Sequence, residues 1–150
     1  MKVCISCSAG GHLIEALQIK SAYENHDYFF LTFYQKGITD EIKNERVYFL
    51  KNPERNPFKI IKCAIDTFKV LKKEKPNIII STGAGFAIPS IILGKLIFNC
   101  KIIFIETFTR IHEPSLSGKI AYYFSDLFFV QWKSLLKKYG KKAKYRGAVF

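Results

Sequence analysis

Acidic side chains are scarce in this 150-residue chain: 12 Asp+Glu stand against 24 Lys+Arg, and none follows Trp132. Cysteine is limited to Cys4, Cys7, Cys63 and Cys100, with one C-x-x-C spacing and no second pair to complete a zinc site. No cluster of His, Asp and Glu has metal-ligand spacing, so neither a metal nor a cofactor is expected. Repeats and linkers are also missing, and Met1-Lys2 leads straight into an apolar run with no leader peptide. These absences exclude a disulfide scaffold, a zinc module and a solenoid. The longest uncharged stretch, Pro76 to Gly94, is broken by Gly83, Gly85 and Pro89, so strand, turn and helix fit it better than a membrane span.

What is present is apolar and basic. The chain is 49% hydrophobic and 15% aromatic, which excludes intrinsic disorder. At this length one domain, residues 1–150, buries about two-thirds of its unfolded surface without a staple. The net charge of +12 sits in two segments. Lys51 to Lys75 carries eight basic and three acidic residues, and Trp132 to Phe150 carries seven basic residues and no acid. Two basic patches on a neutral body point to an anionic partner, with plain solubilisation of an apolar domain as the alternative. Phenylalanine dominates the aromatics at core-periodic positions and no nucleic-acid module is apparent, so nucleic acid is not the expected partner.

Short apolar runs alternate with helical spacing along the chain. Strands are expected at Lys2 to Cys7, Tyr28 to Phe33, Val47 to Leu50, Asn77 to Ser81, Lys101 to Glu106 and Leu127 to Val130. Helices are expected at His12 to Tyr23, Phe58 to Lys73, Gly85 to Phe98, Ser115 to Tyr123 and Trp132 to Tyr139. Along the second helix Phe58, Ile61, Ile65 and Phe68 share one face and Lys59, Lys62, Asp66, Lys69 and Lys73 another. Strict alternation predicts an α/β fold with a doubly wound, mostly parallel, Rossmann-like sheet. Ligands of such sheets bind beyond the carboxyl ends of the strands, so the turns there are the places to search.

Three turns carry suitable chemistry. In Ser8-Ala9-Gly10-Gly11-His12 the glycines allow close backbone approach and the helix start offers N–H groups to an anion. His12 is placed to contact a phosphate oxygen or act as a base, the alternative being a surface histidine on a tight turn. Ser81-Thr82-Gly83-Ala84-Gly85-Phe86 has two glycines of a dinucleotide fingerprint, but Ile88 stands at the third and no ribose-binding acid follows. It fits a phosphate or sugar better than NAD. Glu106-Thr107-Phe108-Thr109-Arg110 sets a carboxylate, two hydroxyls and a guanidinium beyond a strand. Glu106 either serves the chemistry or pairs with Arg110 or a lysine.

Taken in order, Ser8 to His12, Ser81 to Pro89, Ile103 to Arg110 and Asp126 to Trp132 resemble one family. It is the bacterial PssD-like capsular and exopolysaccharide biosynthesis proteins, with the likeness running on through Gly147 to Phe150. These are relatives of the acceptor-side, membrane-associated subunit of the two-part UDP-GlcNAc transferase of dolichol-linked oligosaccharide synthesis. The resemblance implies the N-terminal lobe of a two-lobed GT-B glycosyltransferase. A small partner subunit would bind the UDP-sugar, and the acceptor would be an undecaprenyl-diphosphate-linked saccharide. By this likeness His12 and Glu106 are the candidate catalytic residues. Ser8, Gly10, Gly11, Thr82, Gly83, Gly85 and Arg110 are the candidates for holding the acceptor diphosphate.

The eukaryotic relatives begin with a membrane-spanning anchor, and no such segment is read here. A peripheral attachment to the cytoplasmic face is therefore expected, with anionic lipid facing either the basic stripe of Lys59, Lys62, Lys69 and Lys73 or the apolar Ile88 to Phe98 helix with Lys95. A non-catalytic scaffold that recruits and activates the donor-binding partner stands as the alternative.

Overall fold

The computed structural model describes every residue except Arg55. Its strands are β1 (Lys2–Cys7), β2 (Asp27–Thr32), β3 (Val47–Phe49), β4 (Ile78–Gly83), β5 (Lys101–Ile105), β6 (Leu127–Val130) and β7 (Ala143–Tyr145). They form one sheet in the order β3-β2-β1-β4-β5-β6-β7, and every pairing is parallel. The helices are α1 (Gly11–Gln18), α2 (Pro57–Glu74), α3 (Ile88–Leu96), α4 (Leu116–Phe124) and α5 (Ser134–Tyr139). The expected fold class is thus the one found, with a sheet that is wholly rather than mostly parallel.

The order of strands decides where a crevice opens. From β1 the chain builds outward through β2 and β3, then crosses by way of α2 to lay β4 on the other side of β1. The turns after β1 and β4 therefore part in opposite directions above the sheet, leaving a gap at the switch point.

Side-chain alternation fills the two faces separately. Val3, Ile5 and Cys7 of β1 join Leu13, Ala16, Tyr23 and Phe30 in the core beneath α1. Cys4 joins Phe29, Leu71, Ile79, Ile91, Phe104 and Phe128 in the core beneath the other helices. Cys4 and Cys7 thus lie on opposite faces, and all four cysteines are buried and free. Burial pushes the Cys7 thiol up to about 12, so it stays protonated and structural.

α2 begins where Asn56 accepts hydrogen bonds from the N–H groups of Phe58 and Lys59 with Pro57 in the first turn, and ends at left-handed Lys75 before Pro76. Its sheet-facing residues are Cys63, Thr67, Val70, Leu71 and Glu74. The stripe of Phe58, Ile61 and Ile65 faces outward, with Phe58 82% exposed, and of that stripe Phe68 packs inward against Phe98.

Several element ends fall one or two residues from expectation, and three differences are larger. α1 stops at Gln18, a 3-10 turn at Lys20–Ala22 follows, and Tyr23 is buried with its hydroxyl donating to the Ala16 carbonyl at 2.8 Å. The segment expected as one helix from Gly85 divides into a 3-10 turn at Gly85–Ala87 and α3, where Pro89 occupies the first turn and lacks only an N–H that would be unpaired anyway. β7 was not expected, because three residues of a lysine-rich segment at a sheet edge carry no apolar run of their own.

Candidate active site

At the switch point the turns after β1 and β4 hold one another. The Nδ1–H of His12 donates to the Thr82 carbonyl at 2.8 Å, and the Thr82 hydroxyl donates back to the His12 carbonyl at 2.6 Å. A carbonyl only accepts, so Nδ1 carries a proton, and in the neutral ring the lone pair is on Nε2. Gly83 makes this seat possible. Its φ is 116°, and a Cβ there would stand 3.0 Å from His12 Cε1. Gly10, at φ 107°, turns the chain into α1, which has no side-chain cap. The N–H of Leu13 donates to the Gly10 carbonyl at 3.0 Å, so among the described residues it is the N–H groups of Gly11 and His12 that remain available to an anion.

A cavity of about 910 Å³ opens over this pair, within the usual range for small-molecule sites. Ser8, His12, Gly85, Thr107, Thr109 and Arg110 line its polar end. Residues of α2, α3 and α4, among them Ile60, Ile92 and Ile120, form much of the remaining wall, joined by Phe33, Asn52, Pro53 and Ser115. Arg110 is exposed and forms no ion pair among the described residues. The structure thus brings together Ser8, His12, Gly85 and Arg110. Thr82 and Gly83 are buried beneath them as the seat of His12.

Glu106 is elsewhere. It is fully buried and does not line the cavity. Its carboxylate accepts from the Ser115 hydroxyl at 2.8 Å, from the N–H of Ser115 at 3.1 Å, from the N–H of Thr107 at 3.0 Å, and from the Tyr139 hydroxyl. Burial, and then this carboxylate, push the Tyr139 hydroxyl far above its ordinary pKa. The expected pairing of Glu106 with Arg110 or a lysine is replaced by these neutral donors. Gly118 is obligatory here, since a Cβ would collide with Tyr139, Glu106 and Ser115. Glu106 therefore shapes the cleft from below, by fixing the start of α4 and the loop after β5.

Glu15 is a buried carboxylate that no motif marks. It lies on α1, 3% exposed, one turn beyond His12. One oxygen accepts from the Thr107 hydroxyl at 2.7 Å and from the N–H of Phe108 at 3.0 Å; the other faces Gln131 Nε2 at 3.4 Å. Burial raises its pKa, and the hydrogen bonds from Thr107 and Phe108 and the proximity of His12 offset only part of that rise. Gln131 also donates to the Glu106 carbonyl at 3.0 Å and accepts from the N–H of Val149 at 2.9 Å. The indole of Trp132 donates to the Phe108 carbonyl at 2.7 Å. The Thr107–Arg110 loop is thereby held from α1 and from the end of β6. A retrospective signal exists: Glu15 is the only acid before Glu24, and Gln131 is a polar residue ending an apolar strand.

The five lysines expected to face a membrane do not form one patch. α2 runs back from the mouth, so Lys59 and Lys62 lie at the mouth end and Lys73 near the opposite edge. Lys59 pairs with Glu54 at 2.5 Å, Lys69 with Asp66 at 3.2 Å, and Lys95 with Asp126 at 2.6 Å. Lys73 sits over the Tyr48 ring, 5.3 Å from its centroid. Among the described residues, no group of three or more His, Cys, Asp or Glu is gathered to hold a metal, and no helix is long and apolar enough to cross a membrane.

Comparison with known proteins adds a family to this geometry. The model of the family described as "Oligosaccharide biosynthesis protein Alg14 like" matches residues 52–149. The human UDP-N-acetylglucosamine transferase subunit ALG14 is 24% identical over 182 residues, covering 99% of this chain and 83% of that protein. The subunit of the same name from Schizosaccharomyces pombe is 42% identical over 78 residues, 49% of this chain and 37% of that protein. In Rattus norvegicus it is 35% identical over 88 residues, 55% of this chain and 40% of that protein. The match thus spans well under two-thirds of these last two relatives. Among solved structures, Acinetobacter baumannii MurG superposes with a TM-score of 0.80 at 15% identity, over 99% of this chain and 46% of that one. UDP-N-acetylglucosamine 2-epimerase from Rickettsia bellii gives 0.77 at 16%, over 99% and 45%. At such identities the likeness is one of fold.

Proposed function

Because the chain belongs to the Alg14-like family of oligosaccharide biosynthesis proteins, we propose that it is the acceptor-side subunit of a heteromeric UDP-sugar transferase. A partner subunit binds the UDP-sugar, and this chain, as one domain over residues 1–150, presents the acceptor. The acceptor is an undecaprenyl-diphosphate-linked saccharide at the cytoplasmic face of the membrane, and the product feeds capsule or exopolysaccharide synthesis. The names of the relatives support the transfer of N-acetylglucosamine.

The observation that carries the reading is His12. Thr82 fixes its tautomer, so Nε2 has a lone pair at the cavity that opens at the sheet's switch point. Nε2 takes the proton from the acceptor hydroxyl as that oxygen attacks the anomeric carbon and UDP departs. Ser8, the Gly10-Gly11 turn with its uncapped helix start, Gly85 and Arg110 receive the acceptor diphosphate. Glu106 and Glu15 touch neither reactant; they position the Thr107–Arg110 loop. The outward stripe of Phe58, Ile61 and Ile65 beside Lys59 and Lys62 meets the bilayer, each cation near an anionic surface being worth about 1 kcal/mol.

The test is transfer of radiolabelled sugar by the reconstituted two-protein complex. His12→Ala should lower turnover by about 10²–10⁴-fold with folding retained, the usual contribution of a general base. Unchanged turnover removes His12 from the mechanism. Full activity of the partner alone on detergent-solubilised acceptor would instead make this chain a recruiting scaffold.

A further inference from the structure

The cavity has a second half that the chemistry at His12 does not use. Three helices each contribute a pair of residues spaced i, i+4, and so one above the other on a single face: Ile60 and Ala64 of α2, Ile88 and Ile92 of α3, Leu116 and Ile120 of α4. They make an apolar trough in the same cavity as the hydroxyls of Ser8, Thr107 and Thr109, and Asn52, Ser115 and Ser117 also place uncharged polar side chains on its lining. No Lys, Asp or Glu lines the cavity; Arg110, at the polar end, is its one formally charged side chain among the described residues. The trough is also open to water. Leu116 is 76% exposed and Ile60 42% exposed, and Ile60 adjoins the outward stripe of Ile61 and Ile65.

We propose that this trough seats the first isoprenyl units of the acceptor lipid, next to the diphosphate that joins them to the sugar. The proposal rests on the acceptor reading above and deepens it. The cavity is amphiphilic in the same sense as that ligand: a cation, hydroxyls and a helix N-terminus at one end, and a wall of branched hydrocarbon at the other. A branched hydrocarbon chain enters such a wall without bringing polar groups. The volume of about 910 Å³ leaves room for a diphosphate and several isoprenyl units together.

Direct binding to the full chain separates this proposal from the catalytic one. The probes are farnesyl diphosphate, inorganic diphosphate and farnesol, titrated in a detergent too dilute to form micelles. Farnesyl diphosphate should bind at least about tenfold more tightly than either other probe. The exposed-site variants Leu116→Gln and Ile60→Gln should lose about tenfold of that affinity while leaving inorganic diphosphate unaffected. Equal affinity for farnesyl and inorganic diphosphate overturns the trough and leaves a bare anion site. Equal affinity for farnesol and farnesyl diphosphate makes it an unspecific apolar surface, which also overturns the proposal. So does a change of oligomeric state in the variants without a change in binding, which would assign the face to a second copy. If His12→Ala keeps full transfer while farnesyl diphosphate still binds, the base assignment falls and the trough stands.

Discussion

Glu15→Ala should destabilise the protein by about 2 kcal/mol, and the figure follows from what the carboxylate holds. It accepts from the Thr107 hydroxyl and from the N–H of Phe108. Hydrogen bonds to a charged partner contribute about 1.5–3 kcal/mol each. Alanine strands the Phe108 N–H, whereas the Thr107 hydroxyl keeps Thr109 Oγ1 at 3.3 Å. Against this loss stands the relief of burying a charge, since Glu15 is disfavoured as an anion where it lies. A net loss near 2 kcal/mol lowers the melting temperature of a domain this size by about 4–8 °C. Glu15→Gln keeps an acceptor oxygen for both donors and should cost under about 1 kcal/mol. The two variants also differ from wild type in pH dependence. A carboxyl whose pKa is raised on folding contributes stability that is whole below its unfolded value of 4.5 and is lost as pH rises through the folded one. The advantage of wild type over Glu15→Gln should therefore shrink from pH 4.5 upward and level off once Glu15 is ionised in the folded state. Urea melts at several pH values measure all three proteins. An Ala variant within about 0.5 kcal/mol of wild type, or one matching the Gln variant throughout, would refute the reasoning.

Two further outcomes follow from positions already described. Gly83→Ala forces an L-residue to φ 116° and a Cβ to 3.0 Å from the His12 ring. It should cost about 1–3 kcal/mol in denaturant melts and cut transfer, and retained activity would mean His12 does not need this seat. Phe58→Glu together with Ile61→Glu should weaken sedimentation with anionic phospholipid vesicles while leaving the melting temperature within about 2 °C, because both side chains already face solvent. Undiminished vesicle binding would move the membrane contact elsewhere.

The strands β1 and β6 were legible to the residue, because an apolar run bounded by a turn is a local signal and a parallel strand is buried on both faces. β7 was not, since its place comes from pairing with β6 rather than from its own residues. The periodicity of α2 identified an apolar stripe, but periodicity cannot say which stripe meets a sheet. The helix packs through Cys63, Thr67, Val70 and Leu71, and the stripe of Phe58, Ile61 and Ile65 is left outside. The Gly10-Gly11-His12 and Gly83 turns were readable because left-handed backbone demands glycine there. Glu106 was readable as a carboxylate ending a strand, but its burial depends on Ser115 and Tyr139, 9 and 33 residues later. Glu15 announces itself only when Thr107 and Gln131, 92 and 116 residues away, are folded against it.

The mutual hold of His12 and Thr82 bridges 70 residues and joins the turns of the sheet's two central strands. The imidazole of His12 therefore has no soft mounting of its own, and shifting it means disturbing the middle of the molecule. The helices that wall the other half of the cavity are under no such obligation: Leu116 and Ile60 touch solvent and brace nothing in the core. Chemistry and fit are thereby lodged in separate parts of the chain. On the proposed function, a lineage could exchange residues on α2 and α4 to take a different acceptor without retuning the proposed base at His12.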